Sequence, residues 1–173
     1  GRINFKRFYI RRARRLLPAL LLMLAVVGAL AAFVYRDAAP AFRADAIASL
    51  FYVNNWWYIA ADQSYFEFIG RPPLLKHLWS LAIEEQFYLI WPLITLALLK
   101  FGKRRAVLYT ALIGAVASTV WMAVLSISNG FPELADPSRA YFGTDTHIMG
   151  LLLGAALATV WRPGRLSTRL TPG

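Results

Sequence analysis

Charged residues fall in clusters along this chain, and the apolar runs between them have the length of a membrane crossing. Leu16 to Tyr35 holds no charged residue in 20 positions, and Ala106 to Ile127 none in 22. About 20 apolar residues span a bilayer core of roughly 30 Å as a helix. Leu78 to Leu99 has that length too, but it contains Glu84, Glu85 and Gln86. Ile148 to Trp161 is shorter, at 14 residues, and must begin near Phe142 to cross. Ala46 to Ala61 is apolar enough to be taken for a further span.

The basic clusters orient these segments, because Lys and Arg collect in cytoplasmic loops. Lys6, Arg7, Arg11, Arg12, Arg14 and Arg15 precede the first run. Lys100, Lys103, Arg104 and Arg105 separate the second from the third, and Arg162, Arg165 and Arg169 follow the last. The connections at 36–45 and 128–145 are mixed or acidic and suit the outer face. A crossing by Ala46–Ala61 would send Lys100 to Arg105 outward. That segment therefore reads as interfacial or re-entrant, and Asn54-Asn55-Trp56-Trp57-Tyr58 fits, since Trp and Tyr favour the headgroup layer. The expected fold is all-α, a polytopic transmembrane helix bundle of four spans plus one interfacial or re-entrant segment, with five crossings as the alternative. Residues 1–161 form the membrane domain and 162–173 a cytoplasmic tail or loop.

Composition sharpens this picture. The chain is 58% hydrophobic and 14% aromatic, which excludes disorder. Its net charge is +10, yet the basic residues flank the apolar runs, so orientation accounts for them and nucleic-acid binding is set aside. With no cysteine there is no disulfide, thiolate metal site or Cys nucleophile, and no metal is expected. The first run is too long for a secretory signal and lacks a small-residue cleavage site. The chain starts at Gly1, which suggests a piece of a longer protein.

Ionisable groups inside a membrane cost about 2.5–3.5 kcal/mol on insertion scales, so two adjacent glutamates in one span call for an explanation. At about 100° per residue, with His77 at 0°, Ser80 falls near 300°, Glu84 near 340°, Tyr88 near 20° and Trp91 near 320°. Glu85 lies to one side, at about 80°. Such a stripe can line a polar cavity: His exchanges protons, Glu orients or accepts one, and Ser and Tyr donate hydrogen bonds. It can equally be a network that ties helices together. The Arg cluster likewise has two readings, a stop-transfer collar or a clamp for a phosphorylated ligand. In the second, Arg12 with Arg15, or Arg11 with Arg15, share a helix face. Asp145 and His147 sit at the mouth of the last run. They either join the cavity or belong to a solvated helix start capped by Thr144 or Asp145. Gly150 and Gly154 make a Gly-x-x-x-Gly step that permits close helix packing.

Three strings are more specific: Phe-Tyr-x-Arg-Arg-x-x-Arg-Leu-x-Pro from Phe8, His-Leu-Trp-Ser-Leu-x-x-Glu-Glu-Gln-Phe-Tyr-x-x-Trp-Pro from His77, and Gly-Thr-Asp-Thr-x-x-x-x-x-Leu-x-Gly from Gly143. Their order and spacing closely resemble the acyltransferase family 3 membrane proteins, from about Phe5 to Ala158. Those proteins O-acetylate lipopolysaccharide O-antigen, peptidoglycan, macrolides and other glycans. The likeness is nearest to the branch with peptidoglycan O-acetyltransferases and with members fused to an extracytoplasmic hydrolase-like domain. The resemblance implies about ten transmembrane helices, an acyl-coenzyme A donor on the cytoplasmic side and an acceptor hydroxyl outside. The family's Arg-x-x-Arg motif falls on Arg12 and Arg15, and its Ser-x-x-x-Glu-x-Gln-Phe motif on Ser80, Glu84, Gln86 and Phe87. His147 stands where the family often has Arg. The family's proposed catalytic His belongs to a first helix not encoded here, and four of about ten spans are present.

The sequence thus points to part of an integral O-acyltransferase of the inner (plasma) membrane. Acetyl or another acyl group passes from acyl-CoA (acetyl-CoA) to a glycan hydroxyl. His77, Ser80, Glu84 and Glu85 are the candidate catalytic residues and Arg11, Arg12 and Arg15 the donor-binding ones. Gln86, Tyr88, Asp145 and His147 bind substrate or support the site. Membrane lipid and the remaining helices of the parent chain are the expected partners. A transporter or flippase for acyl groups or lipid-linked sugars is the alternative, since an intramembrane Glu pair also suits a proton relay.

Overall fold

The computed structural model describes residues 4–66, 72–101, 104–130 and 136–161. Every element among them is helical: α1 (Phe5–Phe33), a 3-10 turn (Arg36–Ala38), α2 (Ala39–Leu50), α3 (Asn54–Ala60), α4 (Leu78–Phe101), α5 (Arg104–Ser128), α6 (Ser138–Phe142), α7 (Thr144–His147) and α8 (Met149–Val160). Lys103, Arg162, Arg165 and Arg169, which helped to orient the spans, and the 162–173 tail lie outside the described residues.

Three helices, α1, α4 and α5, are long and apolar enough to cross a membrane. Asn4 caps α1 by accepting a hydrogen bond from the Arg7 amide. The fourth expected span differs from its sequence reading. Gly143 breaks the chain with an extended ψ of 130°, so the helical run begins at Thr144 rather than near Phe142. α7 passes into α8 through Ile148, whose backbone stays helical and whose carbonyl accepts from Leu152. α8 itself has 12 residues, about 18 Å, and is shorter than a bilayer core.

The segment 46–61 is divided between α2 and α3, of 12 and 7 residues, and neither alone has the length of a crossing. Their junction carries Tyr52 at φ 53°, a left-handed conformation that side chains disfavour. The buried face of this segment is polar. Asn54, Asn55 and Asp45 are almost wholly buried, so the Asn-Asn-Trp-Trp-Tyr stretch only partly follows a headgroup-layer reading: Trp56 and Trp57 stay exposed, but the two asparagines and Tyr58 turn inward.

α1 and α4 run antiparallel and out of step. Tyr9 donates to the Leu89 carbonyl, Arg12 meets Glu85, and Leu20 and Leu24 cluster with Leu75 and Leu78. The basic start of α1 therefore lies beside the middle of α4. The apolar half of α1 runs past the α4 start, where α2 covers it and Gly28 faces the Phe42 ring. On the other side Phe87 of α4 packs with Ala115 of α5 and Leu152 of α8. Close approach there occurs at Gly114, where an added Cβ would lie 3.0 Å from Leu152. Gly150 and Gly154 face no described atom within 4 Å, so the Gly-x-x-x-Gly step is not a packing seam among the described residues.

Candidate active site

Register between α1 and α4 brings one cation and one anion together inside the bundle. Arg12 Nε donates to Glu85 Oε2 at 2.8 Å, and its Nη2 donates to Glu85 Oε1, a bidentate pair with side chains 25% and 11% exposed. The guanidinium lies 3.5 Å from the Tyr88 ring centroid, a cation–π contact. These residues line a cavity of about 330 Å³ with Tyr9, Tyr52, Gln86 and aliphatic groups of both helices. Burial and the negative charge of Glu85 push the Tyr52 phenol above its ordinary range, with Arg12 opposing. It therefore stays protonated, able to donate a hydrogen bond.

Behind Glu85 lies a second polar layer. Gln86 donates to the Tyr52 carbonyl at 2.8 Å and to Asn55 Oδ1 at 3.0 Å, and it accepts from Trp56 Nε1 and the Thr144 hydroxyl. A third layer sits in α2 and α3. The Asp45 carboxylate accepts from Trp57 and Tyr58 at 3.1 and 3.2 Å, and burial drives its pKa up against those two bonds. Across the bundle Arg139 pairs with Asp145, which also accepts from Trp121 at 2.7 Å. His147 is half-buried against Trp79 and Tyr141, and its Nδ1 has no hydrogen-bond partner.

The family model for the acyltransferase domain matches residues 1–172. The chain belongs to this acyltransferase family. It is 49% identical over 166 residues to the peptidoglycan O-acetyltransferase OatA of Listeria monocytogenes, covering 95% of this chain and 26% of that protein. The putative peptidoglycan O-acetyltransferase YrhL of Bacillus subtilis is 45% identical over 173 residues, covering 98% of this chain and 26% of the relative. A putative O-acetyltransferase of Staphylococcus aureus strain COL is 46% identical over 168 residues, 96% of this chain and 27% of the relative. The chain thus spans about a quarter of the length of these relatives. No solved structure matches it.

The family motifs do not all converge. Glu85 and Tyr88 join Arg12 at the cavity, and Gln86 backs them. His77, Ser80 and Glu84 are exposed on another face of α4, and His77 lies in the turn before the helix. The Ser80 hydroxyl donates to the His77 carbonyl. The stripe drawn from His77 through Glu84 is thus not the one that faces α1; Leu81, Glu85, Tyr88 and Leu89 turn that way. Arg11 and Arg15 are exposed, and Arg11 lines a separate groove with Lys6, Arg7 and Arg14, so only Arg12 of the trio enters the cavity. Asp145 and His147 lie away from Arg12, and neither Thr144 nor Asp145 caps a helix, since Gly143 occupies the N-cap position.

Sequence reasoning missed Tyr9, Tyr52, Asn55 and Thr144. The adjacent asparagines in a run without charge were a signal, because amides in apolar surroundings need partners.

Proposed function

We propose that the chain is the part of a multi-pass O-acetyltransferase of the inner (plasma) membrane where the acyl donor is held and oriented. Acetyl-CoA or a related acyl-coenzyme A is the donor, and a hydroxyl of peptidoglycan or a similar cell-surface glycan is the acceptor. The names of the relatives support the acceptor class. The observation that carries the reading is the Arg12–Glu85 pair, a charged and hydrogen-bonded group lining a cavity between two apolar helices.

In the transfer the donor's thioester C–S bond breaks and a C–O bond to the acceptor forms. The acceptor hydroxyl loses its proton, and coenzyme A leaves as the thiol. Arg11 and Arg15, exposed near the basic start of α1, attract the donor's phosphates. Arg12 instead turns into the cavity, where its guanidinium can stabilise negative charge that develops on the thioester oxygen. Glu85 holds that guanidinium in place and keeps it neutralised before the donor arrives. Tyr9, Tyr52 and Tyr88 give the cavity aromatic walls.

The test replaces Arg12→Ala and Glu85→Gln in the full-length gene and measures acetate released from cell walls by mild alkali. Each change lowers wall acetylation by about a hundredfold if the pair stabilises the transition state. Undiminished acetylation, with both proteins inserted at normal level, removes the pair from the mechanism. Labelled acetyl-CoA separates transfer from transport, because only a transferase frees coenzyme A in step with acceptor acetylation.

A further inference from the structure

Asn55, Thr144 and Gln86 form a closed ring of hydrogen bonds. Asn55 Nδ2 donates to Thr144 Oγ1 at 2.8 Å, the Thr144 hydroxyl donates to Gln86 Oε1 at 2.5 Å, and Gln86 Nε2 donates to Asn55 Oδ1 at 3.0 Å. Each member gives one bond and takes one in the same sense, so the three polarise one another. Further bonds anchor the two amides. Asn55 Nδ2 reaches the Phe142 carbonyl at 3.1 Å, Gln86 Nε2 the Tyr52 carbonyl at 2.8 Å, and Gln86 Oε1 accepts from Trp56 at 3.2 Å. A primary amide offers two donor hydrogens and two acceptor lone pairs, and Gln86 spends all four.

The ring joins α3, α4 and α7, and its α4 member stands next to Glu85 in sequence. Successive helical residues point about 100° apart. Pinning Gln86 toward α3 and α7 therefore fixes the rotation of α4 that turns Glu85 to Arg12. Gln86 also acts through Tyr52. That residue sits at φ 53°, and the bond to its carbonyl holds the turn whose side chain lines the Arg12 cavity.

We infer that Asn55, Thr144 and Gln86 are positioning residues that set the geometry of the Arg12–Glu85 site from behind, through α4 and the Tyr52 turn. This rests on the reading of that cavity as the acyl-transfer site.

The experiment uses the full-length protein in membranes, with acetyl-CoA and a glycan acceptor. Thr144→Val keeps the side-chain shape and deletes the hydroxyl, which breaks two sides of the ring. The expected result is a fall in kcat on the order of ten- to a hundredfold, as for a misplaced catalytic group, with KM for acetyl-CoA changed by less than about twofold. Thr144→Ser restores most of the rate. In Gln86→Glu the ionised carboxylate cannot donate to Tyr52 or Asn55, whereas the protonated acid regains one donor. Its rate falls as pH rises through titration of the introduced carboxyl, a limb the unmodified enzyme lacks. Unchanged kcat in Thr144→Val overturns the inference, whether or not the thermal midpoint drops, because the ring would then be structural only. A failure of Thr144→Ser to restore the rate overturns it as well. Arg12→Ala and Glu85→Gln are measured in parallel. If they keep full activity, the site reading falls and the inference with it. If they lose activity while Thr144→Val keeps its kcat, the ring inference alone falls.

Discussion

Arg12 and Glu85 meet across 73 residues of chain, within the apolar body of the protein rather than at its rim. Glu85 lies seven residues into α4 from Leu78 and sixteen before Phe101, about 10 and 24 Å from the two helix ends. The pair satisfies both charges by two hydrogen bonds, and the Tyr88 ring covers one face of the guanidinium. Two charges placed so deep are costly singly and tolerable together. The neighbouring Glu84, exposed on another face of α4, does not share this arrangement.

The two members of the pair should not respond alike to removal. Arg12→Ala strands a carboxylate that is 11% exposed, and an unpaired buried charge is strongly destabilising. With Arg12 itself a quarter exposed, the expected loss is about 2 kcal/mol. Glu85→Gln leaves a guanidinium that keeps the Tyr88 ring and can bend its long stem toward water, so the expected loss is about 1 kcal/mol. Thermal unfolding of the purified variants orders the two. The double variant should show a coupling of at least about 1 kcal/mol, and additive losses would mean that the pair contributes nothing as a pair.

Helix packing makes a second prediction. Gly114 lets Leu152 of α8 approach α5 closely, with 3.0 Å from a notional Cβ to the Leu side chain. Gly114→Val overpacks that contact and should cost about 1–3 kcal/mol. Gly150→Ala and Gly154→Ala meet no described atom and should be neutral or gain up to about 1 kcal/mol from helix propensity. Folded yield in detergent, scored by size-exclusion profile and melting midpoint, distinguishes the sites. The reverse ranking would place the α8 seam on the glycine face.

Apolar length was enough to read the three long helices from sequence, because the bilayer fixes how many apolar residues cross. The phase of each helix was not legible. α4 is apolar nearly all round, so its pattern does not say which stripe meets α1, and starting the wheel at His77 favoured Glu84 over Glu85. The neighbour decides: α1 slides half a helix past α4 and brings Arg12 level with Glu85. The same limit applies to Gly150 and Gly154, whose spacing is a packing motif only where another helix lies against it. Asn55 and Thr144 are 89 residues apart, and no local pattern announces that they share a hydrogen bond.

Outside the spans, Asp136 offers a pH-dependent contact. Burial raises its carboxyl pKa, but hydrogen bonds from Ser138 and Ser64 and the charge of Lys76 outweigh that and hold it below the ordinary carboxylate range. The folded state therefore binds this proton less readily than the unfolded one. The stabilisation is complete above the ordinary carboxylate pKa and is lost as pH falls through the depressed value. Ser138 also accepts from the Tyr65 amide at 2.6 Å, so the contact ties the segment after α3 to the start of α6. Hydrogen-exchange protection factors at Tyr65 and along α6, with rates corrected for the intrinsic pH dependence of amide exchange, should fall on going from near-neutral to strongly acidic pH. Asp136→Asn should remove most of that dependence, and an unchanged profile in the variant would assign it to another group.

Topology and depth can be tested together with single cysteines: residues 1–173 hold none of their own, and any cysteine elsewhere in the full-length protein is first replaced by serine. Arg7 and Arg104 are exposed and belong to basic clusters assigned to the cytoplasmic face, whereas Asn129 follows the far end of α5. Single substitutions Arg7→Cys, Arg104→Cys and Asn129→Cys in the full-length protein should react with a membrane-impermeant maleimide from the cytoplasmic side, the cytoplasmic side and the outside respectively. Arg12→Cys should react slowly from both sides. Residue 12 lies five positions beyond Arg7, about 7.5 Å further along α1, and its side chain is turned toward α4. Opposite-side labelling at positions 7 and 104 would dismantle the arrangement of α1, α4 and α5 as alternating crossings. Equal labelling at 7 and 12 would leave that arrangement standing but move the Arg12 cavity into the headgroup layer. There its ion pair would be solvated, and the charge stabilisation assigned to it would shrink to that of a surface contact.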